Sequence, residues 1–249
     1  MPRRILTAVL AIFLIPACGG PDNSAHGEAA PVLGDQPPQP LALLVIGGTS
    51  GIGLETVRLA LERGHQVTAM ARRPERMPLL NPNLELLKGD VPDPASVDAA
   101  VEGKDAIIFT IGMGPTRQPV TAFSKGTRHV LDAMERNDVG QLVMVTGIGA
   151  GDSRGHGSAV YDFFVRPVLM KTVYEDKDRS EERIRESDID WVIVRPGFLT
   201  DEPGTGQYRV IRDQDGVTAG DIARADVAPF MLSVVEDEEY WGETVLLSD

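Results

Sequence analysis

Residues 41–53 read LALLVIGGTSGIG, an apolar run that leads directly into a glycine-rich loop. The run has the length and composition of a buried parallel strand, and the pattern after Gly53 predicts a helix. Glycines at positions 47, 51 and 53 permit a tight turn and let a phosphate group approach the main chain. The helix that follows would direct its free N–H groups at that phosphate. The stretch therefore predicts a loop that binds the pyrophosphate of a dinucleotide.

Strand and helix patterns alternate along the rest of the chain. The predicted strands are 41–46, 66–71, 84–88, 106–111, 141–146, 191–194 and 244–247, and the predicted helices are 53–63, 95–101, 121–136 and 226–235, with further helical patterns up to Glu186. The strands are short continuous apolar runs, as expected when both faces of a sheet are covered. The alternation predicts an α/β fold with a doubly wound parallel sheet, the NAD(P)-binding Rossmann fold, in one domain over residues 41–249.

The residues after the second predicted strand are basic. Arg72 and Arg73 follow the glycine loop by about twenty residues, and Arg76 adds a third cation. An acidic residue at this place binds the ribose 2′-hydroxyl of NAD, whereas arginine accommodates the 2′-phosphate of NADP. The sequence therefore predicts NADPH as the cofactor, with a solvated pair of loop charges as the alternative. Asp90, after the third predicted strand, would accept a hydrogen bond from the adenine amino group or serve as a turn or capping residue.

The N-terminal stretch does not share the pattern of the domain. Residues 1–17, MPRRILTAVLAIFLIPA, combine a basic start, a short apolar run and a small residue, which is the order of a signal peptide. Cys18 would then be lipidated and become the first residue of a lipoprotein. Residues 18–40 are rich in Pro, Gly and Ala and predict a flexible linker. We expect a lipid-anchored protein of the cell envelope, with an uncleaved anchor, a wrongly assigned start or a cytoplasmic location as alternatives.

Charge and composition argue against several classes of protein. The 249-residue chain carries 24 Lys and Arg against 37 Asp and Glu, which gives a formal net charge of −13. Nucleic-acid-binding proteins need basic surface for the phosphates, so we expect no nucleic-acid partner. One cysteine and four histidines, no two of them at ligand spacing, argue against a disulfide framework and a metal site.

Five segments together resemble an atypical short-chain dehydrogenase/reductase, similar to the NADPH flavin reductase/biliverdin-IXβ reductase group. They are IGGTSGIG at 46–53, MARRPER at 70–76, GDV at 89–91, VIVRPG at 192–197 and ADVAPFML at 225–232. The resemblance spans about residues 41–249. It implies that the cofactor contacts Gly47, Thr49, Ser50, Gly51, Ile52, Gly53, Arg72, Arg73, Asp90, Val91, Ile111, Gly112, Met113, Thr146, Gly147, Pro196 and Gly197.

The catalytic pattern of that superfamily, a hydroxyl residue with Tyr and Lys spaced YxxxK, is incomplete in this chain. Lys177 matches the lysine, but Val173 occupies the tyrosine position and Tyr174 comes one position later. One position rotates a helical side chain by about 100°, which predicts that Tyr174 lies off the catalytic face. Gly147 stands where a hydroxyl residue is expected, directly after Thr146. Lys177 and Thr146 are therefore the candidate catalytic residues, with an exposed helical lysine as the alternative for Lys177.

The resemblance implies an oxidoreductase that passes hydride from NADPH to a small-molecule acceptor. A planar conjugated acceptor of flavin, quinone or azo type fits the incomplete pattern, because it needs positioning more than a tuned acid. Met113, Arg117, Phe198 and Tyr208 are expected to line its pocket, and Phe163 is either a pocket or a core aromatic. The alternative function is a non-catalytic NADP-binding redox sensor similar to the NmrA-like regulators. An epimerase is disfavoured, and the oligomeric state stays open.

Overall fold

The computed structural model describes residues 28–29, 39–158 and 161–249, so the predicted signal peptide and Cys18 lie outside the described residues. The strands are β1 (Glu28–Ala29), β2 (Ala42–Ile46), β3 (Gln66–Ala71), β4 (Leu84–Lys88), β5 (Ala106–Phe109), β6 (Gln141–Val145), β7 (Asp190–Pro196), β8 (Phe198–Thr200), β9 (Arg209–Ile211), β10 (Asp221–Ala223) and β11 (Glu243–Ser248). The helices are α1 (Gly51–Glu62), α2 (Pro94–Val101), α3 (Ala122–Asn137), α4 (Arg166–Leu169), α5 (Lys171–Arg185) and α6 (Arg224–Asp237).

The central sheet is mostly parallel. Its strand order is β1-β9-β11-β7-β6-β5-β2-β3-β4, and all neighbours from β11 to β4 pair in parallel. Strand β9 pairs antiparallel with β11 and with β1. From β2 the chain proceeds outward to β3 and β4 and then returns to the other side of β2 through β5. The predicted doubly wound sheet is confirmed, and its order reverses beside β2, where such sheets bind ligands outside the carboxyl ends of their strands.

The side chains of β2 show why the strand is apolar throughout. Leu43 and Val45 pack on one face of the sheet, in the cluster that includes residues of α1 and α6. Leu44 and Ile46 pack on the other face, with residues of α2, α3 and α5. Helices therefore cover both faces, and every position of the strand interior is buried.

The segment between β6 and α5 differs from the predicted run of helical patterns. It contains a 3₁₀ turn at Gly151–Ser153, a single π-helical turn at Tyr161–Val165 and the one-turn helix α4. The short strands β8 and β10 pair with each other in a separate two-stranded sheet beside the end of β7. Strands of three residues carry too little alternation to be seen in a sequence, and distant pairing decides them.

Candidate cofactor and acceptor site

A cavity of about 650 Å³ opens where the sheet order reverses, at the carboxyl ends of the central strands. Its volume lies in the range of about 300–1,000 Å³ that is typical of ligand pockets. The cavity is bordered by the glycine loop after β2 and by the residues that follow β3, β4, β5, β6 and β7. The alternating strands and helices thus bring segments far apart in sequence to one place.

The glycine loop presents unsatisfied backbone donors to the cavity. Gly47 has a φ of +89° and donates its N–H to the carbonyl oxygen of Met70 at 2.9 Å, which fixes the turn after β2. Ser50 is the N-cap of α1, yet its side chain makes no capping hydrogen bond, and the first turn contains no acidic residue. The free N–H groups and the positive end of the helix dipole fit an anionic pyrophosphate.

Gly53 has a different role from the one implied by the resemblance, because it does not line the cavity. A Cβ atom on Gly53 would stand 2.5 Å from the carbonyl oxygen of Gly47 and 2.5 Å from Oγ1 of Thr110. Gly53 therefore allows α1 to pack closely against the loop and the residue after β5. Gly53 thus helps to position the glycine loop and does not contribute to the lining of the cavity.

We expect Gly53→Ala to lower the free energy of unfolding by about 1–3 kcal/mol through overpacking. NADPH binding should weaken at least about tenfold, the equivalent of ~1.4 kcal/mol, because the loop must shift. Denaturant unfolding and a fluorescence titration measure the two effects. Gly140→Ala is the matched control, because a Cβ there has no heavy atom within 4 Å. A Gly53→Ala protein that behaves like this control would contradict the packing role.

Three arginines, Arg72, Arg73 and Arg76, line one end of the cavity. Their guanidinium groups form no ion pair or hydrogen bond with the residues that the structure describes. Asp90 lines the same end, where its main-chain N–H and carbonyl oxygen bond the Ser96 hydroxyl at 3.2 and 3.0 Å. Asp90 is thus a turn residue, and its carboxylate has no partner in the described part of the chain. The carboxylate is therefore also available to accept a hydrogen bond from the adenine amino group.

Apart from Gly53, all cofactor residues implied by the resemblance line this cavity, as do the candidate catalytic residues Lys177 and Thr146. Of the expected acceptor residues, Met113 and Phe198 line it, whereas Arg117 and Tyr208 do not. Arg117 is exposed on the loop after β5. Phe163 is neither a pocket residue nor a core residue, because 75 % of it is exposed.

Tyr208 is in the core beneath α6, where it is 7 % exposed. The preceding loop is fastened to α6 by Asp226, whose carboxylate accepts hydrogen bonds from the N–H groups of Thr205 at 3.0 Å and Gly206 at 2.8 Å. This attachment explains why Tyr208 packs inward and does not reach the cavity. Burial, together with the nearby Asp226, raises the pKa of Tyr208 to about 12.

Tyr174 lines the cavity, which contradicts the expectation from its spacing. Val173 is fully buried against Val120 and Phe123, so it faces the core. Residues three apart on a helix share a face, as residues four apart do, and Tyr174 therefore faces the same way as Lys177. The sequence prediction failed because it accepted only a separation of four.

The hydroxyl of Tyr174 is hydrogen-bonded to that of Tyr161 at 2.6 Å, and Tyr161 also lines the cavity. A Cβ on Gly147 would stand 3.7 Å from the Tyr174 hydroxyl and 3.7 Å from the amino group of Lys177. Burial raises the pKa of both tyrosines, so both hydroxyls stay protonated and can donate hydrogen bonds. Two phenols and an amine therefore meet at the end of β6.

Lys177 is not the exposed helical lysine considered as its alternative. Its amino group donates a hydrogen bond to the carbonyl oxygen of Thr146 and lies 5.1 Å from the ring centre of Tyr174. Burial lowers the pKa of Lys177 to about 8, although the nearby Glu181 acts in the opposite direction. The Thr146 hydroxyl donates to Glu181 at 2.7 Å, so it holds a buried carboxylate in place.

A buried ion pair lies next to Thr146 and Lys177. Arg195 and Glu181 are both 0 % exposed, and Arg195 donates to the two carboxylate oxygens at 3.1 and 2.6 Å. Arg195 directly precedes Pro196 and Gly197, which line the cavity, and Glu181 accepts the hydroxyl of Thr146. The pair thereby joins β7 and α5 to the end of β6.

Arg224, the first residue of α6, is a cavity residue that the sequence did not reveal. A Cβ on Gly51 would stand 3.6 Å from its Nε, so the side chain lies over the glycine loop. It donates a hydrogen bond to Asp201 at 2.6 Å. No motif links Arg224 to the loop, because only the folding of α6 beside α1 brings them together.

The part of the chain that the structure describes holds no group of three His, Cys, Asp or Glu residues placed to bind a metal ion. Over the same residues, none of the helices combines the length and apolar character needed to cross a bilayer.

Comparison with known proteins points to one family. A family model described as NAD(P)H-binding matches residues 47–238, which includes the whole glycine loop and most of the domain. The uncharacterized sugar epimerase YhfK of Bacillus subtilis is 27 % identical over 211 residues, which cover 80 % of this chain and 89 % of that protein. The family match includes all the cavity-lining residues except Ile46.

Two further relatives are named as reductases. The NAD(P)H azoreductase of Xenophilus azovorans is 27 % identical over 158 residues, or 63 % of this chain and 48 % of that enzyme. The solved structure of the anaerobilin reductase ChuY from Escherichia coli O157:H7 is 25 % identical, with a TM-score of 0.70 over 83 % of this chain and 96 % of that one.

Proposed function

This chain belongs to the NAD(P)H-binding family, and from that premise we propose that it is an NADPH-dependent reductase whose acceptor is planar and conjugated, of flavin, quinone or azo type. The nicotinamide dinucleotide predicted from the sequence is confirmed by the family, and relatives named as reductases support an oxidoreductase. The azoreductase and anaerobilin reductase activities in the names of those relatives belong to them. An azo acceptor agrees with the class of acceptor proposed for this chain.

One observation carries the proposal: a single cavity joins an anion-binding end to an aromatic end. The glycine loop and the unpaired arginines lie at the first end, where they would hold the phosphates. At the other end Tyr161 packs edge-on against Phe198, with ring centres 5.2 Å apart, beside Tyr174. Aromatic rings pack favourably on a flat conjugated molecule, so this end suits a planar acceptor.

NADPH, when bound, supplies a hydride, and reduction of the acceptor by two electrons also takes up one proton. We assign the donation of this proton to Tyr174. Its neutral hydroxyl would donate a hydrogen bond to the acceptor atom on which negative charge gathers, and then the proton itself. Tyr161, which lines the cavity, would pass a proton from solvent to Tyr174 through the hydrogen bond between the two hydroxyls. The Lys177 amino group, next to Tyr174, would stabilise the transient negative charge.

The proposal is tested by following NADPH absorbance with purified protein and three acceptors in turn: FMN, a soluble quinone and an azo dye. Continuous oxidation with at least one acceptor, at a rate proportional to protein concentration, would support a reductase. Tight NADPH binding without turnover on any of them would instead indicate the redox sensor.

We expect Arg72→Ala with Arg73→Ala to weaken NADPH binding at least about tenfold and to leave NADH binding unchanged. Charge-assisted hydrogen bonds to a phosphate are worth about 1.5–3 kcal/mol each, and only NADPH carries the 2′-phosphate. Isothermal titration of both cofactors measures the difference. Arg117→Ala is a control, because Arg117 is exposed outside the cavity. Equal affinity of the unaltered protein for NADPH and NADH would contradict this assignment.

We also propose that Cys18 is lipidated and anchors the chain to a membrane, which rests on the sequence of residues 1–18. The apolar run is too short to span a bilayer, so cleavage before Cys18 would leave a lipid as the attachment. Mass spectrometry of the N-terminus of the protein from its own cells should find a diacylated Cys18. A full-length N-terminus that begins at Met1 would refute the proposal.

A further inference from the structure

Five large apolar side chains form an exposed surface that we call the apolar rim. They are Met113, Phe163, Phe164, Val168 and Leu169, which are 41 %, 75 %, 68 %, 51 % and 40 % exposed. Over residues 39–158 and 161–249, only Leu80 and Leu86 are comparable exposed large hydrophobic residues. Single exposed apolar residues are common in soluble proteins, but several of them on two neighbouring segments mark a surface that contacts another apolar phase.

Two segments of the chain build the rim and are held together by hydrogen bonds. The N–H of Thr116 donates to the carbonyl oxygen of Leu169 at 3.1 Å, and the Thr172 hydroxyl donates to the carbonyl oxygen of Thr116 at 3.3 Å. Met170 directly precedes α5. It is partly buried and packs against the cluster that contains Phe123. These contacts therefore hold the Leu169 end of the rim against the loop that follows β5.

The rim borders the acceptor end of the cavity. Met113 belongs to both, since it lines the cavity and is 41 % exposed. Tyr161 lines the cavity and begins the π-helical turn that carries Phe163 and Phe164. An acceptor that reaches the aromatic end of the cavity would therefore pass beside the rim.

The charge around the rim differs from that of the whole chain. Arg117 and Lys171 are the exposed basic residues of segments 112–119 and 161–171, and Lys171 lies 3.8 Å from the carboxylate of Glu175. Arg166 is turned toward the interior, because its Nε is buried. The complete chain carries −13. Exposed phenylalanines flanked by basic residues are the pattern by which peripheral proteins attach to anionic lipid. An acidic partner surface without apolar character would not explain the phenylalanines.

The lipidation proposed above for Cys18 would add a second attachment to a bilayer. Cys18, the proposed lipid attachment, precedes β1 by ten residues, and ten residues span at most about 35 Å. A lipid on Cys18 would thus keep the sheet edge at β1 within that distance of the membrane. Such a tether makes even a weak second contact with the membrane effective, because the contact becomes intramolecular.

We propose that the apolar rim docks the domain onto an anionic lipid bilayer, with Phe163 and Phe164 inserted among the lipids and the cavity mouth turned toward the membrane. The acceptor would then be a lipophilic molecule dissolved in the bilayer, a part of the inference that rests on the proposed reductase function. Docking itself requires no turnover.

The test places an environment-sensitive nitrobenzoxadiazole label on the rim of the full chain. Cys18→Ser removes the only native cysteine, and Phe164→Cys or Leu80→Cys introduces a single labelling site. Leu80 is the matched control, because it is an equally apolar surface residue, 99 % exposed and outside the rim. Both proteins keep the same N-terminal stretch, so any membrane contact of that stretch affects them alike. The vesicles contain phosphatidylcholine and phosphatidylglycerol, with brominated lipids as quenchers.

With vesicles, the label at position 164 should shift to the blue and lose at least half of its emission to brominated lipid, whereas the label at position 80 should not change. Phe163→Ser in the Phe164→Cys protein should raise the lipid concentration needed for the shift several-fold. An unchanged label at 164, or equal responses at 164 and 80, would overturn the proposal. So would a shift that follows protein concentration without vesicles, because a second copy would then cover the rim. NADPH titration of each labelled protein verifies folding and stays positive even if docking fails.

Discussion

Replacing Arg195 by leucine should lower the free energy of unfolding by about 3–5 kcal/mol. Arg195 and Glu181 are both fully buried and share two hydrogen bonds. The substitution leaves the Glu181 carboxylate buried, with Arg185 at 3.0 Å as its remaining cation. A buried carboxylate that loses its main partner is among the most destabilising defects of a core, and Arg185, whose side chain is 37 % exposed, compensates the charge only in part. Urea unfolding followed by circular dichroism measures the loss.

Two variants separate this effect from the mere loss of an ion pair. Arg154→Leu breaks a pair with Asp178 in which the arginine side chain is 53 % exposed, and it should cost less than about 1 kcal/mol. The double variant Arg195→Leu with Glu181→Leu removes both buried charges and should recover much of the lost stability. If Arg195→Leu costs no more than Arg154→Leu, the buried pair does not hold this region together.

The fold was predictable because its decisive signals are local. Residues 43–46 of β2 are buried on one face or the other, so the strand appears in the sequence as a continuous apolar run. The glycine loop is defined by spacing within seven residues, 47–53. Arg72 and Arg73 follow from the same logic, because the end of the strand beside β2 lies next to the loop in every sheet of this kind.

The parts of the site that the sequence did not predict depend on contacts between distant residues. Arg195 stands in the apolar segment VIVRPG, and nothing near it in sequence indicates that its partner is Glu181, 14 positions earlier on another element. Arg224 reaches the cavity because α6 packs beside α1. Tyr208 was assigned to the pocket from its place in a loop, whereas the attachment of that loop to Asp226 packs Tyr208 into the core.

Tyr174 differs from these residues, because its separation from Lys177 is a local signal. The sequence prediction nevertheless placed Tyr174 off the catalytic face. A tyrosine three positions before Lys177 shares a helix face with it, whereas the YxxxK motif places the tyrosine four positions before the lysine. Its partner Tyr161 could not be identified from the sequence, since it lies 13 positions before Tyr174, at the start of the π-helical turn.

Tyr174→Phe should lower kcat for a flavin-, quinone- or azo-like acceptor by about 10²–10³-fold, which is the loss typical when one donor to a developing negative charge is removed. The hydroxyl lines the cavity beside Gly147, and burial keeps its pKa raised, so it is a neutral donor throughout the neutral pH range. NADPH affinity should stay unchanged, because the arginines and the glycine loop hold the cofactor at the other end. Steady-state kinetics and an NADPH titration of the same preparation measure the two quantities.

Tyr208→Phe is the matched control, because Tyr208 is equally buried but lies outside the cavity, and its kcat should equal that of the unaltered protein. Tyr161→Phe should give an intermediate loss, since Tyr161 acts on the acceptor through the hydroxyl of Tyr174. If Tyr174→Phe keeps kcat within about tenfold, the hydroxyl is not the proton donor, since a participating acid typically contributes 10²–10⁴-fold. Hydride would then reach the acceptor with the proton supplied by water, in agreement with the positioning role that the incomplete YxxxK pattern predicts.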